Sequence, residues 1–191
     1  MPTSADRGRE VRTRLLETAG ALIAERGWSA VSTRTLAERA GVGAGLVHYH
    51  FASVQALLTE AAIGMMREVT AAVGPLLAHS GTPAEVVRLL VASLDEYTGD
   101  DPASRTFVET YLAATRDPAL REAVAGVLDD FRTELTTWLR AHDVADPEAT
   151  AVVLAAAVDG LLLHRALDVG ITADSVRPVL TRILGDDAAT G

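Results

Sequence analysis

The residues of this chain that could do chemistry form no catalytic pattern. Ser, His and Asp are scattered, with no Gly-x-Ser-x-Gly elbow, no His-Glu-x-x-His helix and no glycine-rich phosphate loop. There is no cysteine, which removes thiolate metal sites, cysteine nucleophiles and disulfides. His48 and His50 stand two apart and would leave a helix on different sides, so they do not make a metal pair. A binding protein without metal or cofactor is expected rather than an enzyme. The cations say more. All 17 basic residues are Arg, and the net charge is -9, which for the whole chain argues against a phosphate-rich partner. The distribution is uneven, however: residues 1–53 hold seven Arg against five acids, and residues 54–191 hold ten against 21. Only the N-terminal quarter is suited to approach nucleic acid.

Those residues must be positioned by helices. Hydrophobic residues make up 49% of the chain and aromatic residues 4%, and abundant Ala and Leu favour an all-α fold. Val11, Leu15, Ala19, Leu22 and Ile23 give the first helix over residues 9–26, stopped by Gly27. Two short helices follow over 33–40 and 44–50, with Gly41-Val42-Gly43 as the turn. Ala37 is small where the second helix crosses, Gly41 suits a positive φ, and Val47 packs one helix on the other. Leu36, Ala40, Val42 and Phe51 complete a miniature core against the first helix. A long segment over 54–78 carries Leu57, Leu58, Ala61, Met65, Val69, Ala72 and Leu76 on one face. Four later helices start at Pro after a capping residue, at Thr82-Pro83, Asp101-Pro102, Asp117-Pro118 and Asp146-Pro147, and Thr82 with Glu85 fits a capping box. These give helices over 84–98, 103–116, 119–142 and 148–169, with a last one from Thr172 to about Leu184. The expectation is about nine helices and no strand. The apolar run Ala149–Leu163 falls short of the ~20 residues of a membrane span, the first ten residues lack a secretory h-region, and a cytoplasmic protein with no membrane partner is expected.

Thr33-Arg34-Thr35-Leu36-Ala37-Glu38-Arg39-Ala40-Gly41-Val42, followed by Gly45-Leu46-Val47-His48-Tyr49-His50-Phe51, resembles the TetR family of bacterial transcriptional regulators. The resemblance is strong over residues 9–60 and weaker at Ala157–Leu163. It implies a helix-turn-helix DNA-binding domain over 1–53, a ligand-binding and dimerisation domain over 54–185, and a flexible tail over 186–191. It also implies a homodimer that reads an inverted-repeat operator in double-stranded DNA and a small-molecule effector that releases it. By the same resemblance Thr33 is a phosphate-binding cap, with Thr35 beside it, and Arg34 reads a base through guanine O6 and N7. Gly43, Ala44 and Gly45 let the backbone approach the groove. Tyr49 and His50 match positions that touch phosphates or pack the domain. Three positions depart from the family pattern: His48 stands for a commoner Tyr and is still expected to contact DNA, Leu46 stands for a hydroxyl residue and is expected to touch a thymine methyl, and Val54 stands for a Lys that would bind the backbone.

In the second domain Tyr97, Phe107, Tyr111, Phe131 and Trp138 are the large residues, with Met65 as an adaptable neighbour. They read either as plain core or as the lining of a pocket for an amphipathic guest. Ala156 and Gly160 make a small-x-x-x-small step on the most apolar helix. The resemblance assigns that helix to a dimer interface with Asp159 and His164 beside it, while composition alone equally fits the central helix of a monomeric bundle. Control by a protein partner instead of a metabolite is the alternative regulator reading.

Overall fold

Thr3 starts the first helix. Its side chain accepts from the Asp6 N–H while the Asp6 carboxylate accepts from the Thr3 N–H, a complete capping box. α1 therefore runs Ser4–Arg26, five residues earlier than apolar periodicity reached, because a polar first turn is held by its cap and not by burial. The computed structural model describes residues 3–93, 97–165, 167 and 170–184. α1 ends at Gly27, whose φ of 82° favours glycine. A 3-10 turn follows at Trp28–Ala30, then α2 (Thr33–Ala40) and α3 (Ala44–His50). After these come α4 (Val54–Ala71), α5 (Val73–Ala78), α6 (Pro83–Ser93), α7 (Pro102–Ala114), α8 (Pro118–Ala141), α9 (Pro147–Arg165) and α10 (Ala173–Ile183). The described residues contain no strand.

The fold is all-α, and four helices begin at the four expected prolines. The expected long helix over 54–78 is two pieces, α4 and α5. Pro75 has no N–H to give the Ala71 carbonyl and crowds it, which breaks the ladder there. Its buried face is also one step round from the expected one: Ala62, Ile63 and Met66 are buried with Leu57 and Leu58, while Ala61 and Met65 are half-buried. The described part of α6 runs to Ser93, residues 94–96 of the expected helix lie outside the described residues, and Tyr97 and Thr98 are not helical. At the start of α6 Thr82 accepts from the Glu85 N–H, but Glu85 returns to the Gly81 N–H and not to that of Thr82. The expected tail at 186–191 lies outside the described residues.

The chain forms two compact units. The first joins residues up to Met66 with Arg105–Val124; the second joins Arg67–Ser104 with residues from Ala125 onward. In the first, Leu15, Ala19, Leu22 and Ile23 of α1 are buried with Leu36, Ala37, Ala40, Val47 and Phe51. α2 and α3 are too short to be stable alone, so this shared core holds them. In the second, Val86, Val87, Leu90 and Val91 of α6 cluster with Phe131, Leu135 and Leu139 of α8, Leu154 of α9 and Leu180 of α10. By length and composition Val54–Ala78 and Pro147–Arg165 are long and apolar enough to cross a membrane, with mean hydropathy 1.2 and 1.3. Both also carry buried residues, Leu57, Leu58 and Ile63 in one and the core residues Ala151, Leu154 and Ala155 in the other.

Candidate nucleic-acid interface

The helix pair is held by turn chemistry as much as by its core. Ser32 caps α2: its hydroxyl accepts from the Thr35 N–H at 3.2 Å, and the Thr35 hydroxyl accepts from the Ser32 N–H at 2.9 Å. The cap thus sits one residue before the expected Thr33, because an N-cap must have extended backbone and Thr33 is already helical. Thr33 is half-buried, and the Thr35 hydroxyl is committed to the box. The N–H groups of Thr33 and Arg34 stay unbonded at this helix start, the arrangement that receives a phosphate. Gly41 takes the left-handed conformation, φ 67°, and turns the chain into α3.

Val47 is wholly buried and fixes which face of α3 is presented. Gly43, Ala44, Gly45, Leu46, His48 and Tyr49 are exposed, Tyr49 at 80%. No protein atom stands near where a Cβ on Gly43 or Gly45 would lie, so a groove could approach the backbone. His50 is half-buried, edge-on to Tyr49 with ring centroids 5.0 Å apart, and its ring lies towards Gly8 of α1. It braces the domain more than it extends the open face. Arg34 points outward, and its Nε donates to Glu38 Oε1 at 2.8 Å. The hydrogen bond and charge of Glu38 hold that guanidinium above its ordinary pKa. Both Nη groups remain for a bidentate contact.

Side chains that the sequence reading passed over brace this face. The Arg12 guanidinium lies 4.9 Å from the Phe51 ring centroid and pairs with Glu60 at 2.6 Å, tying α1 to the end of α3 and to α4. Trp28 is buried; its N–H donates to Glu109 Oε2 at 2.8 Å and its indole Nε1 to Gln55 at 3.0 Å. The Thr106 hydroxyl donates to the Gly20 carbonyl at 3.4 Å. α7 is thereby fastened to α1 and to the turn before the reading helices. Ser32 could have been found from its hydroxyl three residues before Thr35. Glu109, 81 residues from Trp28, left no local signal.

The family profile described as "Bacterial regulatory proteins, tetR family" matches residues 15–61, and "Tetracyclin repressor-like, C-terminal domain" matches residues 81–186. The chain belongs to the TetR family. It is 28% identical over 163 residues to the HTH-type transcriptional regulator BetI of Rhizobium meliloti (strain 1021), covering 82% of this chain and 78% of that one. The transcriptional regulator SCO7518 from Streptomyces coelicolor A3(2) superposes with a TM-score of 0.78 at 31% identity, over 92% of this chain and 98% of that one. The multidrug binding protein EbrR, solved with imidazole, gives 0.68 at 29% identity over 94% and 98%. The exposed face of α2 and α3 is therefore the helix-turn-helix of a TetR-family DNA-binding transcriptional regulator.

The other expected residues of this TetR-family chain divide between the units. Met65, Phe107 and Tyr111 are half-buried in the first, with the Phe107 and Tyr111 ring centroids 4.6 Å apart. Phe131 is buried in the core of the second, Trp138 packs against that core and stacks on His142 at 3.7 Å, and Tyr97 is half-buried. On α9, Ala156 and His164 are exposed and Asp159 and Gly160 half-buried, on a helix that also exposes Val152, Val153 and Leu163.

Proposed function

We propose that this regulator is a homodimeric repressor that holds an inverted-repeat operator with two copies of α3 and leaves it when a small amphipathic or apolar effector binds the C-terminal domain. The observation that carries the DNA half is the open face of α2 and α3, with Arg34, Leu46, His48 and Tyr49 outward over the buried Val47. For the dimer, Val152, Val153 and Leu163 of α9 and Val179 and Ile183 of α10 are exposed apolar residues of one chain, the pattern of two helices that gain by meeting their own copies. For the effector, EbrR is named as multidrug binding, and Tyr97, Tyr111 and Trp138 give this chain aromatic surface with polar ends. The operator is in the cytoplasm, where the protein acts without a membrane partner. Arg34 reads a base, while Thr33 and the start of α2 take a phosphate.

An operator selected from a random pool should be an inverted repeat with half-site centres ~34–36 Å apart or a multiple of that. Light scattering should give twice the chain mass of 20.1 kDa. Effector and operator must weaken each other by the same factor, ~5- to 150-fold for ordinary allosteric coupling, which calorimetry with and without operator reads directly. A monomer that binds one half-site tightly, or effector affinity indifferent to operator, refutes the corresponding half of the proposal.

A further inference from the structure

Glu109, Leu112, Ala113 and Arg116 follow the helical steps that make one face of α7 and of the turn after it. This face leaves a gap in the reading unit. Between it, the turn at Trp28, Gln55 of α4 and Asp117 lies an open cleft of about 270 Å³, and all of its lining residues belong to the first compact unit. Its polar groups are partly committed. The Trp28 N–H donates to Glu109 Oε2 and the indole N–H to Gln55, and Asp117 Oδ1 accepts from the Ala119 and Leu120 N–H groups at the start of α8. What stays available among the described residues is the second oxygen of each carboxylate and the Arg116 guanidinium, which makes no ion pair there.

Those groups select charge. Two half-buried carboxylates stand against one exposed guanidinium, and the last turn of α7, which carries Leu112 and Ala113, adds the partial negative charge of a helix C-terminus. Trp28 has both of its donors in use, so what its indole offers a ligand is its π surface, which attracts cations. We propose that this cleft binds a small organic cation with a flat apolar body, its head donating to Glu109 Oε1 and its body lying against Trp28 and Leu112. Leu112 is 51% exposed and gains cover from such a guest. The site shares no residue with the aromatic set proposed for the effector above. It lies against the turn that leads into α2 and against the start of α4, so its occupant ties together the elements that hold the reading head.

The test uses the full chain in a Trp138→Phe background, where Trp28 is the one indole left and reports this cleft and not the C-terminal domain. The probes are benzamidine, a flat cation, and benzamide, its uncharged counterpart, at low ionic strength. Benzamidine should change Trp28 emission saturably and raise the melting temperature, while benzamide binds at least about fivefold more weakly. Glu109→Gln keeps an acceptor for Trp28 and loses the charge, so benzamidine affinity should fall about fivefold or more. Arg116→Glu changes an exposed side chain with no ion pair among the described residues and should raise that affinity about twofold or more. Trp28 emission that does not respond overturns the proposal, even where the melting temperature rises, because the probe then sits elsewhere. Equal binding of benzamidine and benzamide, or an unchanged affinity in a folded Glu109→Gln, overturns it as well. If Glu109→Gln does not fold, Arg116→Glu decides alone, and benzamidine binding no tighter than wild type refutes a site built for cations.

Discussion

Replacing Glu109 tests whether α7 holds the reading head in place. Glu109→Ala removes the acceptor 2.8 Å from the buried Trp28 N–H. A hydrogen bond to a charged group is worth about 1.5–3 kcal/mol, and a half-buried carboxylate belongs at the lower end, so about 1.5–2 kcal/mol should be lost. For a chain of this size that is a fall of roughly 3–8 °C in melting temperature, or in the transition of the N-terminal unit if the units melt separately. Glu109→Gln keeps an oxygen acceptor and should lose about 1 kcal/mol or less. Gly27 supplies the cross-check. A Cβ there would meet Glu109 Oε2 at 3.2 Å with the backbone at φ 82°, so Gly27→Ala should cost about 1–3 kcal/mol. Paired with Glu109→Ala it should cost less than the sum, because the steric part disappears and the backbone strain stays. Urea denaturation followed by Trp28 fluorescence in a Trp138→Phe background measures all four variants. Glu109→Ala within about 0.5 kcal/mol of wild type, or Glu109→Gln as unstable as Glu109→Ala, refutes the reasoning.

Arg34→Ala should weaken operator binding about 5- to 150-fold and relax specificity at one base pair per half-site; uniform weakening across sequences in the same selection would assign Arg34 to phosphate. Val54→Lys should tighten binding to every DNA sequence and steepen the log–log salt dependence by about one unit for each phosphate newly contacted, and an unchanged slope places that helix start away from the backbone. Burial pushes Asp101 up, but hydrogen bonds from the Ser104 hydroxyl and N–H and from the Thr98 N–H outweigh it and hold the carboxyl below its ordinary range. The stability it contributes is then complete above the unfolded carboxylate pKa of about 4 and is lost as pH falls through the lower folded value. Asp101→Asn should therefore cost about 1 kcal/mol or less at neutral pH and make unfolding less steep in acid, and an unaltered acid limb in melting curves from pH 6 to 2 would refute this.

What the sequence made readable was local in range. The four Pro starts, the Gly27 and Gly41 turns and the buried Leu36, Ala37 and Val47 follow from dihedral preference and periodicity over a few residues. The start of α1 was missed because Thr3 and Asp6 satisfy a helix end without any apolar face. The buried face of α4 came out one step round, since Met65 and Met66 are equally apolar and only packing from elsewhere decides between them. In the interface, exposure at Arg34, Leu46, His48 and Tyr49 was legible from the motif, whereas Arg34's pairing with Glu38 needed side-chain geometry. The grouping of Arg105–Val124 with the reading helices depends on contacts such as Glu109 with Trp28 and Thr106 with Gly20. No window along the chain contains both partners of either.

The ion pairs of the reading unit bear on how this regulator discriminates. Of the seven Arg in residues 1–53, Arg9 pairs with Asp6, Arg12 with Glu60, Arg14 with Glu10, Arg34 with Glu38 and Arg39 with Glu25. A cation already neutralised by a carboxylate displaces less counterion from DNA, so the sequence-independent part of binding is small. The Arg34–Glu38 pair has the opposite effect on the specific part. With Nε held by Glu38 one turn along α2, the guanidinium is pre-oriented. Less side-chain freedom is then lost on meeting a guanine edge. On the proposal that Arg34 reads a base, weak phosphate attraction combined with a pre-oriented Arg raises the ratio of specific to non-specific affinity, and that ratio decides occupancy among a genome's competing sites. In a chain of net charge -9, discrimination has to come from such positioned contacts, because the overall field repels DNA.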